Sequence, residues 1–90
     1  MTIYILLKEA YGFEGATETQ EITAYYNKEE ALKIKNAYTV YREQIEALDY
    51  EYKYLKSVKL KKENREKCAK LRNPDFDKWD YMSIEAVEVK

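Results

Sequence analysis

Few side chains in this 90-residue sequence are suited to catalysis or to metal binding. The chain has no histidine, which is the commonest general base and zinc ligand. Its single cysteine, Cys68, cannot form an intrachain disulfide or a multi-thiolate metal site. These counts exclude zinc fingers, Ser-His-Asp hydrolases and disulfide-stapled toxins. Since no base or second thiol accompanies Cys68, we expect this residue to pack in the core.

Carboxylates are the remaining candidates for metal binding, and residues 74–80 contain three aspartates after a proline. A hard cation prefers such oxygen ligands. The segment lacks, however, the glycine and the terminal glutamate of a calcium loop, and a lysine lies among the aspartates. We therefore expect a turn that buries Phe76 and Trp79 between sheet and helix. No catalytic residue, metal or cofactor is predicted.

Basic side chains are concentrated in one stretch, although the net charge of the chain is only −1. Residues 53–72 carry nine basic and two acidic side chains, a net charge of +7, and the remainder carries −8. Such a stretch can bind a phosphate backbone or an acidic protein surface, or it can be a solvated helix face. The acidic remainder leaves nucleic-acid mimicry as a further alternative.

Tyrosine is abundant, with ten among the 90 residues. It is amphipathic and recurs at protein interfaces, although in a small protein it also packs at half-buried positions. Several tyrosines lie immediately before the basic stretch. The predicted partner-binding residues are therefore Tyr38, Tyr41, Tyr50, Tyr52, Tyr54, Lys59, Lys61, Lys62 and Arg65.

Two segments have the alternation typical of β-strands, and we expect them to form the sheet that positions the binding residues. Within residues 1–26, apolar side chains alternate over residues 3–7 and 22–26, and two glycines lie between, which predicts a β-hairpin. Residues 80–90 predict a final strand. A change of phase at Ala86 and Val87 indicates either a β-bulge there or a strand covered on both faces.

Residues 28–72 predict a helical segment, with Asn27 and Glu30 spaced as a capping box at its start. A continuous helix over residues 28–71 would be about 66 Å long and the sheet about 26 Å, so the helix must overhang the sheet or fold back as a hairpin. We expect a break near residues 49–50, after which three tyrosines alternate. A strand over residues 50–60 is the alternative.

Apolar residues follow the predicted helix from Ala31 at spacings of three and four, which is typical of a coiled-coil seam. This pattern predicts self-association, giving a possible homodimer. The residues predicted for that contact are Ile34, Tyr41, Ile45, Leu48 and Leu55.

Together these elements predict an α+β fold of one domain over residues 1–90. Its two layers are a small antiparallel three-stranded sheet and a long helix or helical hairpin, in the order ββα(α)β. The apolar start is too short for a signal peptide, and no segment reaches the ~20 apolar residues of a membrane span. We expect a cytoplasmic protein with no membrane partner.

The two ends of the chain resemble small proteins carried by bacteriophages and prophages. The resemblance is in the opening strand at residues 3–7, the loop at residues 11–15, the segment 25–31 and the closing strand at residues 81–89. It implies a phage-encoded, non-enzymatic protein that binds and blocks a bacterial host or defence protein, for example as an anti-CRISPR. The alternative is a nucleic-acid-binding accessory protein that uses the basic stretch.

Overall fold

The computed structural model covers residues 1–90 and shows an α+β fold, as predicted. Its elements are β1 (Thr2–Tyr11), β2 (Thr17–Tyr25), α1 (Lys28–Tyr54), α2 (Val58–Leu71), α3 (Pro74–Asp77) and β3 (Tyr81–Glu88). The three strands form one antiparallel sheet in the order β2-β1-β3, with β1 at its centre. No helix combines the length and the apolar character that crossing a membrane requires.

One turn of 3-10 helix, Phe13–Gly15, connects β1 to β2. Gly15 has a φ of 77°, a backbone conformation that favours glycine. The pairing of β1 with β2 shifts register between Ala10 and Tyr11. The bulge expected near Ala86 is wrong, because β3 pairs with β1 without a register shift.

Helix α1 begins at a side-chain cap, as the sequence predicts. The Oδ1 atom of Asn27 accepts a hydrogen bond from the backbone N–H of Glu29 at 2.8 Å. The first turns of α1 then lie on one face of the sheet, where Ala31 of the helix and Leu6 of β1 are completely buried. Because successive side chains of a strand point to opposite faces, α1 covers only the face that carries Leu6.

An aromatic cluster holds the middle of α1 at the end of the sheet. Tyr38 packs with Trp79 and Met82, and its hydroxyl donates a hydrogen bond to the carbonyl oxygen of Trp79 at 2.8 Å. Burial raises the pKa of the Tyr38 phenol above its ordinary value. Phe76 packs edge-on against Tyr38, with ring centroids 5.8 Å apart. The predicted burial is thus confirmed for Trp79, whereas Phe76 is half-buried against α1.

Beyond the sheet, α1 and α2 form the helical hairpin and give the molecule dimensions of 60 × 30 × 18 Å. The helices are interrupted at residues 55–57, and the Ser57 hydroxyl caps α2 by accepting from the N–H of Leu60 at 3.4 Å. The break predicted near residues 49–50 is therefore misplaced. The alternative of a strand over residues 50–60 is wrong, since α1 continues to Tyr54.

The interior of the hairpin is formed by the apolar seam of α1. Tyr41 and Ile45 pack with Cys68 of α2, and Leu48 and Phe76 border this cluster. Cys68 is thus a buried packing residue, as expected.

The seam predicted for self-association is largely occupied within the chain. Tyr41 and Ile45 are buried, and Ile34, Leu48 and Leu55 are half-buried. Ile34 borders the cluster at the sheet end, and Leu48 borders the one inside the hairpin. A second copy cannot contact Tyr41 and Ile45 unless the hairpin opens, because α2 and α3 already cover them.

Candidate binding site at the hairpin tip

The end of the helical hairpin, residues 49–65, gathers most of the predicted partner-binding residues. This hairpin tip consists of the last turns of α1, the linker and the first two turns of α2. Helix α1 continues for 13 residues beyond Tyr41, so the tip lies about 20 Å past the level at which α3 packs. The predicted residues found there are Tyr50, Tyr52, Tyr54, Lys59, Lys61, Lys62 and Arg65.

The other two predicted residues, Tyr38 and Tyr41, do not reach the surface. The hydroxyl of Tyr41 donates to the carboxylate of Asp77 and accepts a hydrogen bond from the backbone N–H of Asn73 at 3.1 Å. Tyr38 bonds to the carbonyl of Trp79. Both tyrosines were predicted to contact a partner, but they are buried where the hairpin joins the sheet end and are not exposed for such a contact.

Two tyrosines form an exposed aromatic pair on the outer side of the tip. Tyr50 and Tyr54 are 64% and 68% exposed, and their ring centroids are 5.0 Å apart. They are four residues apart on α1, which places them on the same face in successive turns. Ring surface that a folded chain leaves open, with hydroxyls still available, is typical of a contact surface for another macromolecule.

A shallow basic cleft of about 390 Å³ lies on the other side of α1 at the tip. It is lined by Tyr52, Val58, Lys61, Lys62 and Arg65. The Nζ atom of Lys61 is 5.6 Å from the Tyr52 ring centroid, and the guanidinium carbon of Arg65 is 4.5 Å from it. Both cations thus lie within the range of a cation–π interaction.

Arg65 of α2 also forms hydrogen bonds to α1. Its Nη1 atom donates to Asp49 at 3.0 Å, and its Nε atom donates to the side-chain oxygen of Asn64 at 2.9 Å. Asn64, the one buried polar side chain, donates to the carbonyl oxygen of Leu48 at 3.0 Å. This network fixes the Tyr52 ring under Arg65, so that Arg65 has a structural role and the nearby lysines are the available cations.

No carboxylate of the chain forms an ion pair with the three lysines of the tip, which are Lys59, Lys61 and Lys62. Sequence reasoning did not find Asp49 and Asn64, which position Arg65. One signal was available: Asn64 is four residues before Cys68 and therefore shares the buried face of α2.

The aspartates of residues 74–80 have other roles than metal binding. Asp77 pairs with Arg72 at 3.3 Å, and the Asp80 carboxylate accepts from the backbone N–H of Tyr11 at 2.7 Å. No group of three or more His, Cys, Asp or Glu side chains is arranged to hold a metal ion. These aspartates thus stabilise the junction between hairpin and sheet.

Comparison of the chain with protein-family models, with curated proteins and with solved structures finds no match in any of the three. The chemistry of the hairpin tip is therefore the ground on which a function is proposed.

Proposed function

We propose that the protein is a non-enzymatic binding protein whose hairpin tip docks on an acidic surface of another protein and blocks it. The observation that carries this proposal is the exposed pair Tyr50 and Tyr54, at a hairpin tip that also carries three lysines without carboxylate partners. The sequence resemblance to phage proteins supports a bacterial host or defence protein as the partner.

The aromatic pair supplies the affinity in this proposal. Each tyrosine side chain contributes about 200 Å², of which roughly two thirds is open here, so docking buries on the order of 250 Å² from Tyr50 and Tyr54. At about 25 cal/mol per Å², this burial contributes about 6 kcal/mol before the costs of association. Such residues act as binding hot spots when they enter a pocket of the partner.

The basic stretch supplies steering. Residues 53–72 carry a net charge of +7 and include Lys59, Lys61 and Lys62 at the tip. A cluster of one sign attracts a partner surface of the opposite sign and raises the association rate at low salt. The tip projects beyond the sheet, which allows it to enter a groove that the wider sheet end cannot.

Affinity capture from bacterial lysate tests the proposal, using the wild-type protein, a Tyr50→Ser/Tyr54→Ser double variant and a Phe13→Ser control. Phe13 is 90% exposed in the turn between β1 and β2, away from the tip, so its replacement removes exposed aromatic surface at another site. We expect the wild type and the Phe13 variant to retain one protein at equal stoichiometry after nuclease treatment. The double variant should lose it. Equal retention by all three would contradict a role for the tip.

A second candidate function is nucleic-acid binding, and the favouring observation is the Tyr52 ring among Lys61, Lys62 and Arg65. Lysines release counterions from phosphates, and the exposed rings of Tyr50 and Tyr54 at the same tip are available for base stacking. This function predicts binding of a labelled oligonucleotide that weakens linearly in log K against log salt. It also predicts loss of binding when Lys59, Lys61 and Lys62 are changed to glutamate. Salt-independent or absent binding removes this candidate.

A further inference from the structure

The face of the sheet opposite α1 is apolar and has no covering element. Since alternate residues of β1 point to opposite faces, the face opposite Leu6 carries the side chains adjacent to it in sequence. The registers with β2 and β3 place further apolar residues beside them. The apolar residues of this open face are Ile3, Ile5 and Leu7 of β1, Ile22 and Ala24 of β2, and Val87 of β3; Ser83 and Glu85 of β3 lie on the same face.

The open face continues past the strand ends. The N–H of Val89 donates to the carbonyl oxygen of Met1 at 2.8 Å, which adds these two side chains to the face. Ile22 is 62% exposed, although it lies directly beside Leu7. Two charged residues share the face: Glu9 lies toward the far end of β1, and Glu85 pairs with Ile5 from the edge strand β3, where Ser83 pairs with Leu7. The aliphatic part of the face is thus formed by β1 and β2, with Val87 and Val89 at one end of β3.

We infer that two copies of this chain associate through their open faces, so that the two sheets form a sandwich. On β1 and β2 the face has β-branched and aliphatic side chains at alternating positions, as a core has, and its charged Glu85 lies on the edge strand β3. Interfaces between identical chains are more apolar than those with transient partners, which are enriched in aromatic residues and arginine. The open face contains no arginine, whereas the aromatic pair and the basic side chains are at the hairpin tip.

The area of the open face is consistent with a second copy of the chain packing on it. Three strands at about 4.8 Å spacing and seven residues at about 3.4 Å give a patch of roughly 14 by 24 Å. Two such corrugated patches bury on the order of 1,000 Å² in total when sheets pack face to face, which reaches the lower limit of a specific interface. A two-fold axis through this face uses the same patch on both copies and closes the assembly.

This inference does not depend on the function proposed for the hairpin tip, because α1 and the tip are on the other side of the sheet or beyond it. It would place two tips in one assembly. A partner that offers two sites would then be bound more tightly than by a single tip.

Sedimentation equilibrium of the full chain at concentrations from about 1 to 100 µM tests the inference. We expect the wild type to reach twice the chain mass of 10.8 kDa within this range. Ile22→Glu and Val87→Glu, each on an edge strand, should remain at the monomer mass with an unchanged far-ultraviolet circular dichroism spectrum. Val40→Glu, on the exposed side of α1, is the matched control and should dimerise as the wild type does.

A wild type that stays at the monomer mass up to about 100 µM would overturn the inference and leave the open face to a different molecule. Dimers of unchanged affinity in both open-face variants would also overturn it, as would assembly beyond the dimer, which indicates pairing of strand edges.

Discussion

The hydroxyl of Tyr41 should stabilise the junction between the hairpin and the sheet, and Tyr41→Phe removes this group while keeping the buried ring. In the wild type the hydroxyl donates to the Asp77 carboxylate and accepts from the backbone N–H of Asn73. The substitution leaves that N–H without its partner and removes one charge-assisted hydrogen bond. Because the ring remains against Phe76, the packing loss is limited to one oxygen atom.

The expected cost follows from these two contacts. A hydrogen bond to a charged group contributes about 1.5–3 kcal/mol, and a buried N–H without a partner costs about 1–3 kcal/mol. Asp77 is exposed and Asn73 is half-buried, so water restores part of both contributions. We expect the free energy of unfolding to fall by about 2 kcal/mol. For a chain of this size that change lowers the melting temperature by about 8–16 °C.

Thermal unfolding followed by circular dichroism measures this effect, with Tyr50→Phe as the matched control. The Tyr50 hydroxyl has no hydrogen-bond partner in the chain, and its ring is exposed, so its removal should change stability by less than about 0.5 kcal/mol. If Tyr41→Phe melted within a degree or two of the wild type, the junction would not depend on this hydroxyl and the reasoning would be refuted.

Two further predictions concern the hairpin interior and the acid range. Ile45→Ala opens a cavity beside Cys68 and should lower the free energy of urea unfolding by about 2–4 kcal/mol, whereas Ala47→Ser on the exposed side of α1 should have little effect; equal losses would contradict the described core. Hydrogen bonds from the Thr2 hydroxyl and the N-terminal amine hold the pKa of Glu88 below its ordinary value. The folded state therefore binds the carboxyl proton of Glu88 less tightly than the unfolded chain does. The stabilisation from these hydrogen bonds is complete above about pH 4.3 and is lost as the pH falls through the folded-state pKa of Glu88. Thr2→Val should raise the Glu88 pKa in a carbon-detected NMR titration, and an unchanged value would show that the hydroxyl has no such effect.

Local patterns in the sequence are sufficient to predict the elements at the ends of the chain. Alternation over residues 3–7 and 22–26 marks β1 and β2, and Asn27 marks the start of α1, because each signal depends on residues close in sequence. The spacing of the seam likewise identifies the buried face of α1. It does not identify what covers that face, since the same stripe fits a second copy or a returning helix.

The position of the helix break was not predictable from periodicity alone. Tyr50, Tyr52 and Tyr54 alternate like a strand, but they lie on the last turns of α1 with no neighbouring strand to pair with. The break instead occurs before Ser57, a residue type that favours the N-cap position. Because the turn is there, the tyrosines of α1 and the lysines of α2 lie at the same end of the hairpin.

A photo-crosslinking amino acid placed at Tyr50, expressed in bacteria and activated by light, tests the role of the hairpin tip most directly. The same substitution at Phe13, which is also exposed and lies in the turn between β1 and β2, is the control. The account predicts a discrete protein adduct from position 50 that resists nuclease, and none from position 13. An adduct formed only from position 13, or one that nuclease removes, would contradict the tip as the protein-binding surface.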